Sequence, residues 1–109
     1  LRVIWILFLT ASLLFSAEIM QNKWKEGEVF STYLERNKIP VTLLKHISSE
    51  DLQYLSEIQS GERFYELKED GRLMQVLIPV GEEMQIHLFR DIRGEKFHFD
   101  ITPIVCREL

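Results

Sequence analysis

Cysteine is almost missing from this chain, which has 109 residues and a single thiol, Cys106. The sequence therefore excludes an intrachain disulfide and a cysteine-rich zinc cluster. No second cysteine and no histidine lies at a useful spacing from Cys106, so we interpret this thiol as incidental rather than as a nucleophile.

Basic residues are outnumbered by acidic ones, with 13 Lys and Arg against 17 Asp and Glu, for a formal net charge of −4. A nucleic-acid partner requires a basic surface, and an anionic membrane patch requires clustered cations, so neither partner is expected. The glycines lie beside turns rather than in a phosphate-binding loop, and no serine lies in a nucleophile elbow. The chain offers no set of catalytic residues, so by itself it is not expected to be an enzyme.

The N-terminal region is the one long uncharged stretch. Val3 to Phe15 carries no charge and follows Arg2. A membrane-spanning helix needs about 20 apolar residues, whereas the core of a signal peptide needs about 7–15. This length favours a secretory signal peptide over residues 1–17, cleaved after Ala17. Phe15 occupies a position where cleavage prefers a small residue, so an uncleaved membrane anchor stays open.

Residues 18–109 are expected to form one small domain that begins with short helices. Apolar residues recur at helical spacing from Val29 to Leu34, and Asn37 is a candidate C-terminal cap. Pro40 ends this helix and begins another. Ser48 is a candidate N-cap, with Asp51 in the position of a capping-box acid, for a third helical stripe that ends at Ser60-Gly61.

After Gly61 the hydrophobic period changes from helical to alternating. Four strand-like runs follow, separated by turns at Glu69-Asp70-Gly71, Gly81-Glu82-Glu83 and Asp91 to Gly94. Asp-Gly between alternating runs is a strong hairpin signal, and Pro79 is expected to interrupt the second run. The order of helices followed by an antiparallel meander predicts an α+β fold.

Two groups of polar residues invite a reading as metal sites. His98 and Asp100 share a strand face, and His87 could lie on the neighbouring strand, but a zinc site needs three or four converging ligands. An ordinary exposed strand face is the favoured interpretation. Glu50 follows the predicted N-cap and should project from the first turn of its helix. It is either a surface acid that compensates the helix dipole or a carboxylate able to reach another domain's metal site.

Several segments, in order, resemble a known family. Lys25-Glu26-Gly27-Glu28-Val29-Phe30 and Gly61-Glu62-Arg63-Phe64-Tyr65 resemble the opening and the closing strand of a LysM-like module, a β-α-α-β unit that binds peptidoglycan. The longer pattern resembles the N-terminal region of the LytM (lysostaphin-like) zinc peptidoglycan peptidases that determine cell shape in helical Gram-negative bacteria. The matching segments are residues 33–40, 46–51, 56–60, 76–80, 84–88 and 99–104.

The resemblance implies a periplasmic domain, exported or anchored to the inner membrane, that folds over a catalytic domain and blocks its cleft in cis. In that family an acid of this domain occupies a coordination position on the zinc, and Glu50 is the matching residue here. The catalytic domain carries His-x-x-x-Asp and His-x-His as a pair, and the pair does not occur in these 109 residues. The implied zinc therefore belongs to an endopeptidase or carboxypeptidase domain outside this chain.

Two other functions are open at this point. A LysM-like surface between the turns at Gly27 and Gly61 could bind a peptidoglycan strand, with Trp24 and Phe30 stacking on sugars. The favoured interpretation is instead that Phe30 is a core residue and Trp24 a membrane-proximal or packing residue. Alternatively, the edge strands of the meander could recruit another envelope protein.

Overall fold

The computed structural model describes residues 17–91 and 93–104. The predicted signal peptide, apart from Ala17, and Cys106 lie outside this range. The sheet is antiparallel with the strands in chain order. Its strands are β1 (Ala17–Lys23), β2 (Arg63–Glu69), β3 (Arg72–Val80), β4 (Met84–Arg90) and β5 (Phe97–Pro103). The predicted meander from β2 to β5 is confirmed.

A helical segment connects β1 to β2. It consists of α1 (Phe30–Arg36), a first 3-10 helix (Val41–His46), α2 (Ser49–Leu52) and a second 3-10 helix (Gln53–Glu57). The fold is therefore α+β, as predicted, with most of the ordered structure in the sheet. The stretches expected to be helical after Pro40 and Ser48 are largely 3-10, because pieces this short cannot propagate an α-helix and depend on packing.

The end of α1 follows the predicted pattern. Asn37 is the C-cap, and the next residue, Lys38, has a φ of 60°. The Lys38 amide donates to the carbonyl of Glu35, and the Ile39 amide donates to the carbonyl of Leu34 over 2.8 Å. This pair of bonds is the Schellman arrangement, which normally places glycine where this chain has Lys38.

The turn between β2 and β3 is the hairpin that the sequence predicts. Asp70 and Gly71 both have positive φ, 52° and 77°, as a type I′ turn requires. The prediction for Pro79 is wrong, because β3 runs without a break to Val80 and Pro79 pairs with Gln85 of β4. The pairing of β3 with β2 reaches only Leu77. At Pro79 the strand therefore has one neighbour, and such an edge position is where a sheet tolerates proline.

Strand β1 is the element that the sequence analysis missed. All of its residues except Asn22 are exposed, so no alternation of apolar and polar side chains marks it. It forms a strand because β2 offers it a partner along its whole length, from Ala17 opposite Glu69 to Lys23 opposite Arg63. The predicted cleavage after Ala17 falls at the first residue of this strand.

The hydrophobic core lies between the helical segment and one face of the sheet. Its buried side chains are Trp24, Phe30, Tyr33, Leu34, Ile39, Phe64, Val76, Ile78, Val80, Ile86 and Leu88. Leu43, Leu44, Tyr54, Leu55 and Ile58 of the helical segment pack against them. Within residues 17–91 and 93–104, no helix has the length and apolar character needed to span a bilayer.

Candidate functional site

Glu50 lies in the first turn of α2, where the sequence predicts it. The hydroxyl of Ser48 accepts a hydrogen bond from the Asp51 amide over 3.1 Å, so the N-cap prediction is confirmed. Glu50 is exposed, and among the described residues its carboxylate has no hydrogen-bond or ion-pair partner. The carboxylate is therefore free to meet a group from outside this domain.

The geometry around Glu50 explains why it faces outward. The neighbouring 3-10 helices direct Leu44 and Leu55 into the core, which fixes this segment against the sheet. The cap at Ser48 then holds the start of α2 in one conformation. The cap therefore fixes the backbone from which the Glu50 side chain projects.

His87 and His98 lie on the solvent-facing side of the sheet. His87 is opposite Asp100, and Phe89 is opposite His98. The Nε2 atom of His87 lies 2.9 Å from the side-chain oxygen of Gln75, and burial lowers the pKa of His87 against a smaller opposing effect of Asp100. Within the described ranges no three His, Cys, Asp or Glu side chains are arranged to hold a metal ion.

One spacing on this face escaped the sequence analysis. His87 and Asp91 form a His-x-x-x-Asp sequence, at the end of β4. Residues four apart on a strand are separated by about 13 Å, too far to share a metal ion. Asp91 instead accepts a hydrogen bond from the Glu95 amide over 3.0 Å, which is the main reason that its pKa is lowered. His87 and Asp91 therefore do not form a metal site, and Asp91 belongs to the turn that follows β4.

A buried carboxylate, which the sequence analysis did not single out, lies under the helical segment. Glu66 is 7% exposed. It accepts one hydrogen bond from the Tyr33 hydroxyl and another, over 2.6 Å, from the side-chain amide of Asn22. Burial, and then the bond to Glu66, raises the pKa of Tyr33 well above its ordinary value. The available signal was parity, because Glu66 lies two residues after Phe64 in a strand and therefore shares the face of this core residue.

The two aromatic candidates for sugar stacking are core residues. Trp24 and Phe30 are 4% and 5% exposed, so the favoured interpretation is confirmed. A groove of about 460 Å³ nevertheless runs beside them, between the start of α1 and the second 3-10 helix. Val29 and Leu52 line this groove and are among the exposed apolar side chains.

Comparison with known proteins identifies the family. The model of the family described as Csd3 N-terminal matches residues 21–104. The chain belongs to the Csd3 N-terminal family. The match covers all of the described fold except the beginning of β1.

Solved structures support the same assignment. Two crystal forms of Helicobacter pylori Csd3, orthorhombic and hexagonal, are 33% identical to the chain, with TM-scores of 0.72 and 0.71. Each match covers 79% of this chain and 23% of Csd3. A zinc-containing peptidase from Vibrio cholerae is 25% identical, with a TM-score of 0.51, over 78% of this chain and 27% of the peptidase. No curated protein sequence gives a significant match.

These matches confirm the resemblance to the N-terminal domain of LytM-type zinc peptidases. The chain spans less than a third of the length of the structures that it matches. Glu50 is a single candidate ligand, and within the described part of the chain it belongs to no group of three or more His, Cys, Asp or Glu side chains that could hold a metal ion.

Proposed function

We propose that this chain is the regulatory N-terminal domain of a periplasmic LytM-type zinc peptidoglycan peptidase, and that it blocks the catalytic cleft in cis through Glu50. The observation that supports the proposal most directly is the exposed carboxylate of Glu50 on its capped turn. Family membership and the likeness to a zinc-containing peptidase supply the context.

The chemistry needs only one ligand from this domain. A catalytic zinc site keeps one coordination position open for water, and a carboxylate oxygen in that position excludes the water. One carboxylate binds a metal weakly on its own. Within one chain, however, the effective concentration of a tethered ligand is in the millimolar range, so a weak contact is sufficient to hold the cleft closed.

The domain is expected to act as a rigid block. Glu50 projects from a segment that packs against the core through several apolar side chains, Leu44 and Leu55 among them. Bringing the carboxylate to the metal therefore also brings the segment from Pro40 to Ile58 against the cleft. Inhibition then has two parts, which are metal ligation by Glu50 and steric exclusion of substrate by the helical segment.

The test compares peptidoglycan hydrolysis by the full-length parent enzyme and by its variants. Glu50→Ala and Glu50→Gln are expected to raise hydrolysis by about 5- to 150-fold, the usual range of a coupling free energy of 1–3 kcal/mol. Glu57→Ala is the matched control, because Glu57 is also an exposed acid of the same segment. If hydrolysis is unchanged in both Glu50 variants, or rises equally in Glu57→Ala, Glu50 has no role as the blocking ligand.

The alternative function is that of a LysM-like peptidoglycan-binding module without an inhibitory role. It is supported by the order β1, helical segment, β2, with β1 and β2 as antiparallel neighbours, and by the groove beside Val29 and Leu52. Co-sedimentation with purified peptidoglycan tests it. Binding that Val29→Asp abolishes and Glu50→Ala leaves intact favours the binding module. Failure to co-sediment would exclude the peptidoglycan-binding function.

A further inference from the structure

A second cleft lies on another part of the domain, between the first 3-10 helix and the turn that joins β4 to β5. Its volume is about 430 Å³, and Ile39, Pro40 and Leu43 form one wall while Phe97 forms part of the other. It shares no lining residue with the groove beside Val29, and Glu50 does not line it. The cleft is therefore separate from Glu50, although Pro40, Leu43 and His46 of its lining belong to the helical segment of the proposed steric block.

The charged residues of the cleft are mostly basic. Lys38, His46, Arg90 and Lys96 line it, and Glu95 is its one acidic residue. The whole chain carries a net charge of −4. The cleft therefore has an excess of basic residues in a protein that has an excess of acidic ones. Among the described residues, Arg36 forms an ion pair with Glu28, and the Nε2 atom of His98 lies 3.9 Å from a carboxylate oxygen of Asp91. Neither contact includes a basic group of the cleft.

Arg90 is fixed in place by backbone oxygens and an aromatic ring. Its Nε donates to the carbonyl of Leu73 over 2.7 Å, and its Nη1 donates to the carbonyl of Gly94 over 3.1 Å. Its guanidinium also lies 4.4 Å from the centre of the Phe97 ring. A guanidinium has five N–H groups, so three have no partner among the described residues. Neutral partners hold the guanidinium without cancelling its charge.

A second guanidinium adds to the positive potential beside the cleft. Arg72 donates to the same Gly94 carbonyl over 2.8 Å. Burial, and then the neighbouring Arg72, lowers the pKa of Arg90, while Asp91 acts in the opposite direction. Two cations on one neutral oxygen repel each other, and an anion in the cleft would relieve that repulsion.

Lys38 supplies an independent observation. The described residues with positive φ are glycines, apart from Lys38 and Asp70. Asp70 suits its type I′ turn, because aspartate tolerates the left-handed region. Lysine has no such preference, and glycine would fill the same Schellman position without strain. A strained lysine in the lining of a basic cleft supports a role for its charge.

We propose that this cleft binds an organic anion, with Lys38, Arg90 and Lys96 around a carboxylate or phosphate group and Ile39, Leu43 and Phe97 against its apolar part. A guanidinium binds both kinds of oxyanion well, with several N–H donors in one plane. The apolar wall distinguishes the ligand from a bare inorganic ion.

The test is an NMR titration of the 109-residue chain with three small probes. Phenyl phosphate and benzoate carry an anionic group on one ring, and benzyl alcohol carries the same ring without charge. We expect saturable shifts at the amides of Lys38, Lys96 and Phe97 and at the Nε–H of Arg90 with at least one anion, and weaker shifts with benzyl alcohol. The tighter anion identifies the preferred oxyanion.

Two double variants with equal net charge complete the test. Lys38→Gln with Lys96→Gln removes two cations of the cleft, and each change should weaken anion binding about two- to fivefold. Lys25→Gln with Lys68→Gln removes two cations that do not line the cleft and should leave the affinity nearly unchanged. Far-UV circular dichroism verifies that both fold. The proposal is overturned if no anion saturates, if benzyl alcohol binds as tightly, or if both double variants weaken binding equally.

Discussion

The bond from Tyr33 to Glu66 makes a sharp prediction about stability. Tyr33→Phe removes one oxygen atom and leaves the ring, which packs 5.3 Å from Trp24 and 5.6 Å from Phe64 between ring centres. Glu66 then keeps only the bond from Asn22. A hydrogen bond to a charged group is worth about 1.5–3 kcal/mol, so the free energy of unfolding should fall by about 2 kcal/mol.

Chemical denaturation followed by circular dichroism measures this loss. In a domain of this size, 2 kcal/mol corresponds to a fall in Tm of about 8–16 °C. Tyr65→Phe is the matched control, because Tyr65 is 39% exposed on the opposite face of β2 and should change stability by less than about 0.5 kcal/mol. Equal effects of the two substitutions would refute the reasoning.

The same bond predicts a dependence on alkaline pH. The pKa of Tyr33 is raised above the ordinary value of 10.0, first by burial and then by Glu66. The folded state therefore keeps a proton that the unfolded state releases above pH 10. The contribution of the Tyr33 hydroxyl to the free energy of unfolding is fully present below about pH 10. Above that pH it falls by about 1.4 kcal/mol per pH unit. The difference in free energy of unfolding between wild type and Tyr33→Phe should therefore shrink as the pH rises above 10. A difference that stays constant up to pH 11 would contradict this prediction.

Two further substitutions test local structure by denaturation. Ser48→Ala should lower the free energy of unfolding by about 0.5–2 kcal/mol, because the cap bond to the Asp51 amide is lost. The hydrogen exchange of that amide should become faster. Ser60→Ala, in a turn, is the control and should leave the stability nearly unchanged. Lys38→Gly should raise stability by about 0.5–1 kcal/mol, because glycine accepts the positive φ of 60°, while it weakens anion binding in the second cleft. The same change at Lys45, in helical backbone, should destabilise instead, and a destabilised Lys38→Gly would show that its backbone is not strained.

Much of the fold was predictable because its signals are local. The Asp70-Gly71 turn, the N-cap at Ser48 and the end of α1 at Asn37 each depend on a few neighbouring residues. The alternation from β2 to β5 depends on one buried face. The prediction failed where partners decide the outcome, because Pro79 is tolerated only where β3 has lost its contact with β2.

Some features of the candidate site could also be predicted from the sequence, and others required the tertiary structure. Sequence analysis selected Glu50, and its exposure follows from the local cap. The roles offered for Trp24 and Phe30 as sugar platforms needed the tertiary structure to exclude them, since an aromatic residue beside a turn can face either way. The basic cleft was not visible in the sequence at all. Lys38 and Lys96 are far apart in the chain and meet only because β5 packs beside the first 3-10 helix.

By itself, the sequence determined the meander, the positions of the turns and caps, and the absence of a paired set of catalytic motifs, because each depends on residue type and short-range spacing. The tertiary structure alone decided that β1 joins the sheet, that Glu66 is buried with Tyr33 and Asn22, and that cations from distant segments share one cleft. These features arise from pairing and burial between residues far apart in the chain. No local pattern encodes such contacts, since their energy exists only once the segments are brought together.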